Sequence, residues 1–338
     1  MKPDFVRWAR LETRTAAAVC LLAMVEVAVS MGIGRFAFTP LLPLMIREDL
    51  LDLNAGAWLA GSNYLGYVLG ALTVSRVRVK PQILSRGSLA GIVAVTAAMG
   101  VGGLDMPAWL VLRFAAGVFS AWAFVLTSAW ALDRLASAQR PDLAGVIYAG
   151  TGLGIATVGV YCVAAAGPGV TTQWLWLGLG ALAGVAIAPS LLQSGGAPAP
   201  ATGAGRGEGV SARPDGRTAG LVVCYGVMGL GYILPATFLP TLARNIVDEP
   251  RIFGLAWPLF GLASLVSTVV AARVLRRMNR LRVWAATHLV MALGVFMPSL
   301  WLTPGSVAVT ALFVGGTFMV TTTVALQEVR LRAQDRGG

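Results

Sequence analysis

The sequence predicts an all-α polytopic membrane protein with about ten spans, set out as two related bundles of six and four helices. Three observations predict it. First, apolar residues make up 57% of the chain and charged residues 12%, with a mean hydropathy of +0.74, whereas soluble domains carry about 25% charge. Second, of the 26 Lys and Arg residues, 21 fall in alternate gaps between apolar runs. Only Arg47, Arg244 and Arg251 fall in the other gaps, and Arg35 and Arg113 lie inside runs. Third, blocks of sequence recur at an offset of 197–199 residues.

The first span covers about 16–46. The start MKPDFVRWARLETR followed by AAAVCLLAMVEVAVS mimics a signal peptide. The apolar run continues well past a signal core of about 7–15 residues, so it reads as an uncleaved span. Spans two to six are expected at about 55–75, 87–104, 107–132, 143–166 and 172–192. Pro107, Pro141 and Pro304 sit at or just before span starts, where a missing N–H costs nothing. Residues 193–217, QSGGAPAPATGAGRGEGVSARPDGR, are rich in Gly, Ala and Pro and predict a flexible linker. Four further spans follow at about 218–243, 252–272, 283–302 and 305–327. The domains are thus an N-terminal six-helix bundle (1–192), the linker, and an incomplete C-terminal bundle (218–338). The 21-to-3 charge split places both termini and the linker in the cytoplasm.

The same distribution excludes other classes. The net charge of +11 lies in the inter-span gaps, as membrane topology requires, so no nucleic-acid partner is expected. Cys20, Cys162 and Cys224 are scattered in apolar runs and make neither a disulfide framework nor a metal site. GTGLG at 150–154 lies in a span with no lysine after it and is not a phosphate loop. A membrane enzyme would need a cluster of His, Asp or Cys at one face, and the chain has a single histidine, His288. The expectation is therefore a non-enzymatic chain without cofactor or metal.

The repeat gives the organisation. GIGRFAFTPLLPLMIR (32–47) pairs with GLGYILPATFLPTLAR (229–244), matching Gly32, Gly34, Leu42, Pro43 and Arg47 to Gly229, Gly231, Leu239, Pro240 and Arg244. GAWLAG in span two answers GLAWPLFG in span eight, and RFAAGVF (113–119) answers LFVGGTF (312–318). Parallel halves around a midplane site are a transporter architecture. On GIGRFAFTPLLPLM, SNYLGYVLGAL and the order of spans, the chain resembles the major facilitator superfamily and its YbfB/YjiJ-type branch. The resemblance implies a secondary transporter of the bacterial inner (plasma) membrane, working on a small organic solute in the lipid bilayer by alternating access. RFAAG (113–117) is similar to the fourth-helix Arg-x-x-x-Gly motif, which the resemblance links to proton coupling. GALTVSRVRVK keeps Gly70 and the basic residues of the superfamily's loop 2–3 motif but lacks its acid, and the fifth-helix Gly-Pro motif is absent.

The repeat maps spans one, two and four onto seven, eight and ten, so counterparts of spans five and six are expected beyond Gly338. That implies either a truncated chain or one that dimerises to cover the missing helices. It also leaves a second functional class open: a non-transporting remnant, or the assembly partner of a transporter.

The candidate site residues are the polar groups that a bilayer tolerates only with a purpose. An intramembrane charge costs at least ~2.5 kcal/mol. Arg35 should lie ~16 Å, and Arg113 ~9 Å, inside the outer membrane face, on α-helical rise. Guanidinium grips carboxylates bidentately, so the two suit an anionic solute; the alternative is that each satisfies backbone carbonyls and fixes packing. Asn63 and Tyr232 are candidate hydrogen-bonding partners of the solute, with Tyr232 at the repeat position of Arg35. Tyr64, Tyr67, Tyr148 and Tyr225 could act likewise. Glu26 is the only carboxylate deep in a span, and burial disfavours its charged form, which suits a proton carrier. Nine residues separate Glu26 from Arg35, which puts them on opposite faces of an ideal helix. Gly150, Gly152, Gly154 and Gly159 are expected to be close-packing positions.

Overall fold

A computed structural model describes residues 16–140, 143–165, 167, 169–192, 216–247, 249, 253–274 and 278–334. They form ten long helices and, among the described residues, no strand. These are α1 (Ala16–Arg47), α2 (Leu53–Thr73), α3 (Pro81–Ala98), α4 (Met106–Ser137), α5 (Ala144–Ala165), α6 (Thr172–Leu192), α7 (Gly216–Arg244), α8 (Ala256–Val274), α9 (Arg280–Leu300) and α10 (Pro304–Gln334). Eight are long and apolar enough to cross a membrane on that ground alone. The other two are α2, which carries Ser62, Asn63, Tyr64 and Tyr67, and α3, which carries Gln82, Arg86, Ser88 and Thr96. The chain is a multi-pass membrane protein. Pro141 and most of the predicted linker, 193–215, lie outside the described residues.

Helix ends follow local chemistry more closely than hydropathy. Span three was expected at 87–104, but α3 runs from Pro81 to Ala98. Pro81 presets the first helical turn, and the chain leaves the helix through Gly103, whose φ of +77° favours glycine. Asp52 and Asp105 cap α2 and α4, accepting from the N–H groups of Ala55 (2.7 Å) and Ala108 (3.1 Å). Pro107 stands in the first turn of α4, and Pro304 begins α10. An apolar run suggests burial for all three cysteines, and Cys224 departs from that: Cys20 and Cys162 are buried, and Cys224 is exposed on α7.

Close backbone approach dominates the packing. A Cβ at Gly66 would sit 2.1 Å from the Phe114 carbonyl oxygen, so α2 and α4 meet nearly backbone to backbone. On α5, a Cβ at Gly150 or Gly154 would strike the carbonyl of Met24 or Ala28 in α1. On its other side, Gly152 and Gly159 face Leu265 and Pro258 of α8. The helix α5 is thus clamped between α1 and α8, and α3 packs against α4 and α6. Beyond α8, α10 packs against α8, α9 and α7, and the Phe38–Arg47 end of α1 rests on α7.

Candidate functional site

The site is built on an irregular stretch of α1. Residues Ala28–Arg35, AVSMGIGR, form a π-helix within α1. Its widened turn closes with the Phe36 N–H donating five residues back to the Met31 carbonyl at 3.0 Å. Pro40 has no N–H for the Phe36 carbonyl, and that carbonyl accepts instead from Thr39 N–H at 3.2 Å. Small residues let the wide turn nestle: a Cβ at Gly32 would lie 2.4 Å from the Gly154 backbone, and one at Gly34 2.2 Å from Ser120 Oγ. Such π segments recur at functional sites. Arg35 is its last residue.

The Arg35 side chain is half-buried among aromatic rings. Its Cζ lies 4.2 Å from the Tyr67 ring centroid, 5.2 Å from Phe36 and 5.8 Å from Tyr64. These are cation–π distances. Its Nε is buried and has no hydrogen-bond partner. Tyr232 of α7 stacks on Phe318 of α10, with centroids 5.5 Å apart.

The other predicted residues divide. Arg113 is buried, lies over Phe38 at 4.9 Å, and donates from Nη2 to the Arg35 carbonyl at 3.3 Å. Asn63 is fully buried and donates from Nδ2 to the carbonyls of Arg113 (3.0 Å) and Gly34 (3.4 Å). Together they tie the backbones of α1, α2 and α4 at the end of the π turn. Glu26 stands apart, buried and accepting from Thr127 Oγ1 of α4 at 2.6 Å. Arg35, Arg113 and Asn63 thus form one cluster, Tyr232 is joined to it through Phe318 and Phe36, and Glu26 is a separate polar centre.

Three features escaped the sequence reading. Tyr64 of α2 hydrogen-bonds Thr237 of α7, whose hydroxyl donates to the Ile233 carbonyl. Phe36 meets Trp257 of α8 (6.1 Å) and Phe318 of α10 (6.3 Å), within an aromatic cluster that extends to Phe260. Both could be sought through the repeat: Trp257 and Phe318 lie 199 residues beyond Trp58 and Phe119. Finally, Glu48, just past α1, accepts from the Thr172 N–H (2.9 and 3.1 Å) and hydroxyl (2.7 Å), which caps α6. No group of three His, Cys, Asp or Glu able to hold a metal occurs among the described residues.

A family model described as the uncharacterised MFS-type transporter YbfB matches residues 27–336. No curated protein matches the sequence. Among solved structures, a mutant of the nucleoside transporter NupG superposes with a TM-score of 0.65 at 13% identity, over 91% of this chain and 81% of that one. A bacterial homolog of the human lysosomal transporter Spinster, inward-facing and occupied, gives 0.63 at 13% identity, over 89% and 72%. The D-xylose-proton symporter gives 0.61 at 15% identity, over 91% and 80%. At these identities the likeness shows the fold alone.

Proposed function

The chain belongs to the YbfB family of MFS-type transporters, a family of carriers rather than enzymes, and on that premise we propose that it moves a small organic anion across the bacterial inner membrane by alternating access. The observation that carries this reading is Arg35: a half-buried guanidinium at the end of a π turn, faced by Tyr64 and Tyr67 of α2, with its Nε unpartnered. A desolvated guanidinium of this kind favours a carboxylate or similar anion. Arg113 and Asn63 serve the site by fixing the backbone from which Arg35 projects. Tyr232 offers a hydroxyl from the opposite side.

Alternating access needs contacts that close one side and break on the other. The Tyr64–Thr237 hydrogen bond and the packing of Phe36 on Trp257 and Phe318 join the first six helices to the last four toward the outer end. They are the closed outer gate of this reading, and Tyr64, which also flanks Arg35, links gate to anion. Glu26 is the proton-coupling group, with Thr127 holding its carboxylate. Both termini and the linker face the cytoplasm, as the charge split requires.

A second reading, assembly with another subunit, is supported by α7: Gly229 and Gly231 have nothing within 4 Å, and Leu230 and Leu234 are exposed. Light scattering of the purified protein tests it; a strictly monomeric protein that transports would overturn it. The main reading is tested by a thermal-shift screen of organic acids on the wild type and Arg35→Ala. Stabilisation by an acid in the wild type alone is the expected outcome, and equal stabilisation of both proteins would remove Arg35 from the site.

A further inference from the structure

Resting on the anion-transport reading, we propose that the solute is a planar aromatic monocarboxylate. Three properties of the surroundings of Arg35 lead there. The first is charge. Arg113 is buried with its Nη2 on the Arg35 carbonyl and its face on Phe38. Arg113 is anchored through Nη2, with its own buried Nε also unpartnered, and Arg35, which has no such anchor to a backbone carbonyl, is the guanidinium assigned to the ligand, where it neutralises a single carboxylate. A dianion would bring a second charge into a site without a second cation turned toward it, at a high desolvation cost.

The second property is the scarcity, among the described residues, of partners for a cationic or polyhydroxylated solute. The deep carboxylate of α1, Glu26, is held by Thr127 in a separate centre. It is not placed beside Arg35 to receive an ammonium group, which speaks against a zwitterion. The Asn63 Nδ2 is committed to two backbone carbonyls, which leaves the buried Oδ1 as the one acceptor of that amide without a partner. Little remains to replace the water shell of a sugar, whose hydroxyls would each lose a hydrogen bond.

The third property is the walls. Tyr67 and Tyr64 flank the guanidinium on α2, and Phe36 adjoins it on α1. Phe36 meets Phe318 edge-on at 6.3 Å, and Phe318 carries Tyr232 stacked at 5.5 Å. The rings thus run without a break from the guanidinium to the α7 side. Tyr64, Tyr67 and Tyr232 are half-buried, so they keep surface to offer a ligand. A carboxylate on Arg35 projects its body between these rings, where a flat π-system gains offset-stacked or edge contacts that a saturated ring cannot match.

The test is equilibrium binding of radiolabelled acids to the full chain in nanodiscs. Benzoate should bind, cyclohexanecarboxylate about ten-fold more weakly, and neutral benzamide and dianionic terephthalate not measurably. Tyr67→Leu should lower affinity for benzoate while leaving that for cyclohexanecarboxylate nearly unchanged, and Tyr67→Phe should restore it. Arg35→Gln should abolish binding of both acids in a protein that still elutes as one sharp peak. Equal affinities of the wild type for benzoate and cyclohexanecarboxylate would overturn the aromatic assignment and leave the anion reading standing. Failure of every acid to bind the well-folded wild type would overturn both.

Discussion

Helices α1 and α7 carry one repeated motif in two settings. Gly32 of α1 lies against the backbone of Gly154, so close that a Cβ would come within 2.4 Å; Gly229, 197 residues later, has nothing within 4 Å. Arg35 on α1 is enclosed by rings, and its counterpart Tyr232 stacks on Phe318. Glu48 past the end of α1 caps α6, whereas Asn245 stands at its repeat position past α7. The motif therefore sets a helix in both places, but its energetic meaning comes from the helix packed against it. For α1 that helix is α5; no described helix plays the same part for α7.

The comparison can be broken at each matched pair. The largest effect is expected from Arg35→Gln against Tyr232→Phe. Loss of a desolvated charge pair costs about 2–5 kcal/mol, so acid binding should fall by more than an order of magnitude in the first variant. It should fall by no more than a few-fold in the second. Similar losses in both would mean that the two sides share the anion equally.

Next come the glycines. Gly32→Ala should destabilise by about 1–3 kcal/mol, because α1 and α5 must separate to admit a methyl. Gly229→Ala should instead stabilise by about 0.5–1 kcal/mol through helix propensity. Thermal unfolding of the two purified variants gives both signs, and destabilisation by Gly229→Ala would reveal a packed α7 face. Glu48→Ala should cost about 1 kcal/mol through the lost cap of α6, while Asn245→Ala should stay within about 0.5 kcal/mol of the parent. The smallest contrast concerns the gate. Tyr64→Phe removes one hydrogen bond, about 1 kcal/mol, and should raise labelling of a cysteine placed at the neighbouring Ala236, which leaves Thr237 intact, from the outer side. The same labelling in parent and variant would remove the latch.

Much of this was legible because bilayer residence writes itself into composition. The helix number, the burial of Glu26 and Arg113 and the glycine contacts of α5 all follow from what hydrocarbon rejects or small residues allow. What stayed hidden depends on distance along the chain. Thr172 lies 124 residues from Glu48, and Thr237 lies 173 from Tyr64; no local pattern pairs them. The division of labour between the arginines was hidden for the same reason. Both read as intramembrane cations, and only the proximity of the Arg35 carbonyl turns Arg113 toward a backbone partner. The start of α3 was missed because hydropathy weighs Gln82 and Arg86 against a span, while Pro81 decides where the helix begins.

The widened turn of α1 has a mechanical consequence. The helix is pinned below it, where Glu26 holds Thr127, and above it, where Glu48 holds Thr172. A rod fixed at both ends can twist only if it carries slack, and a π turn is slack in the form of a surplus residue. Displacing that surplus by one position, as a wrinkle travels along a carpet, turns the residues it passes by about 100° while both pins stay in place. Arg35 sits at the edge of the wrinkle, so its guanidinium changes heading at the cost of the Asn63 and Arg113 bonds to the Gly34 and Arg35 carbonyls, while the Glu26 and Glu48 anchors hold.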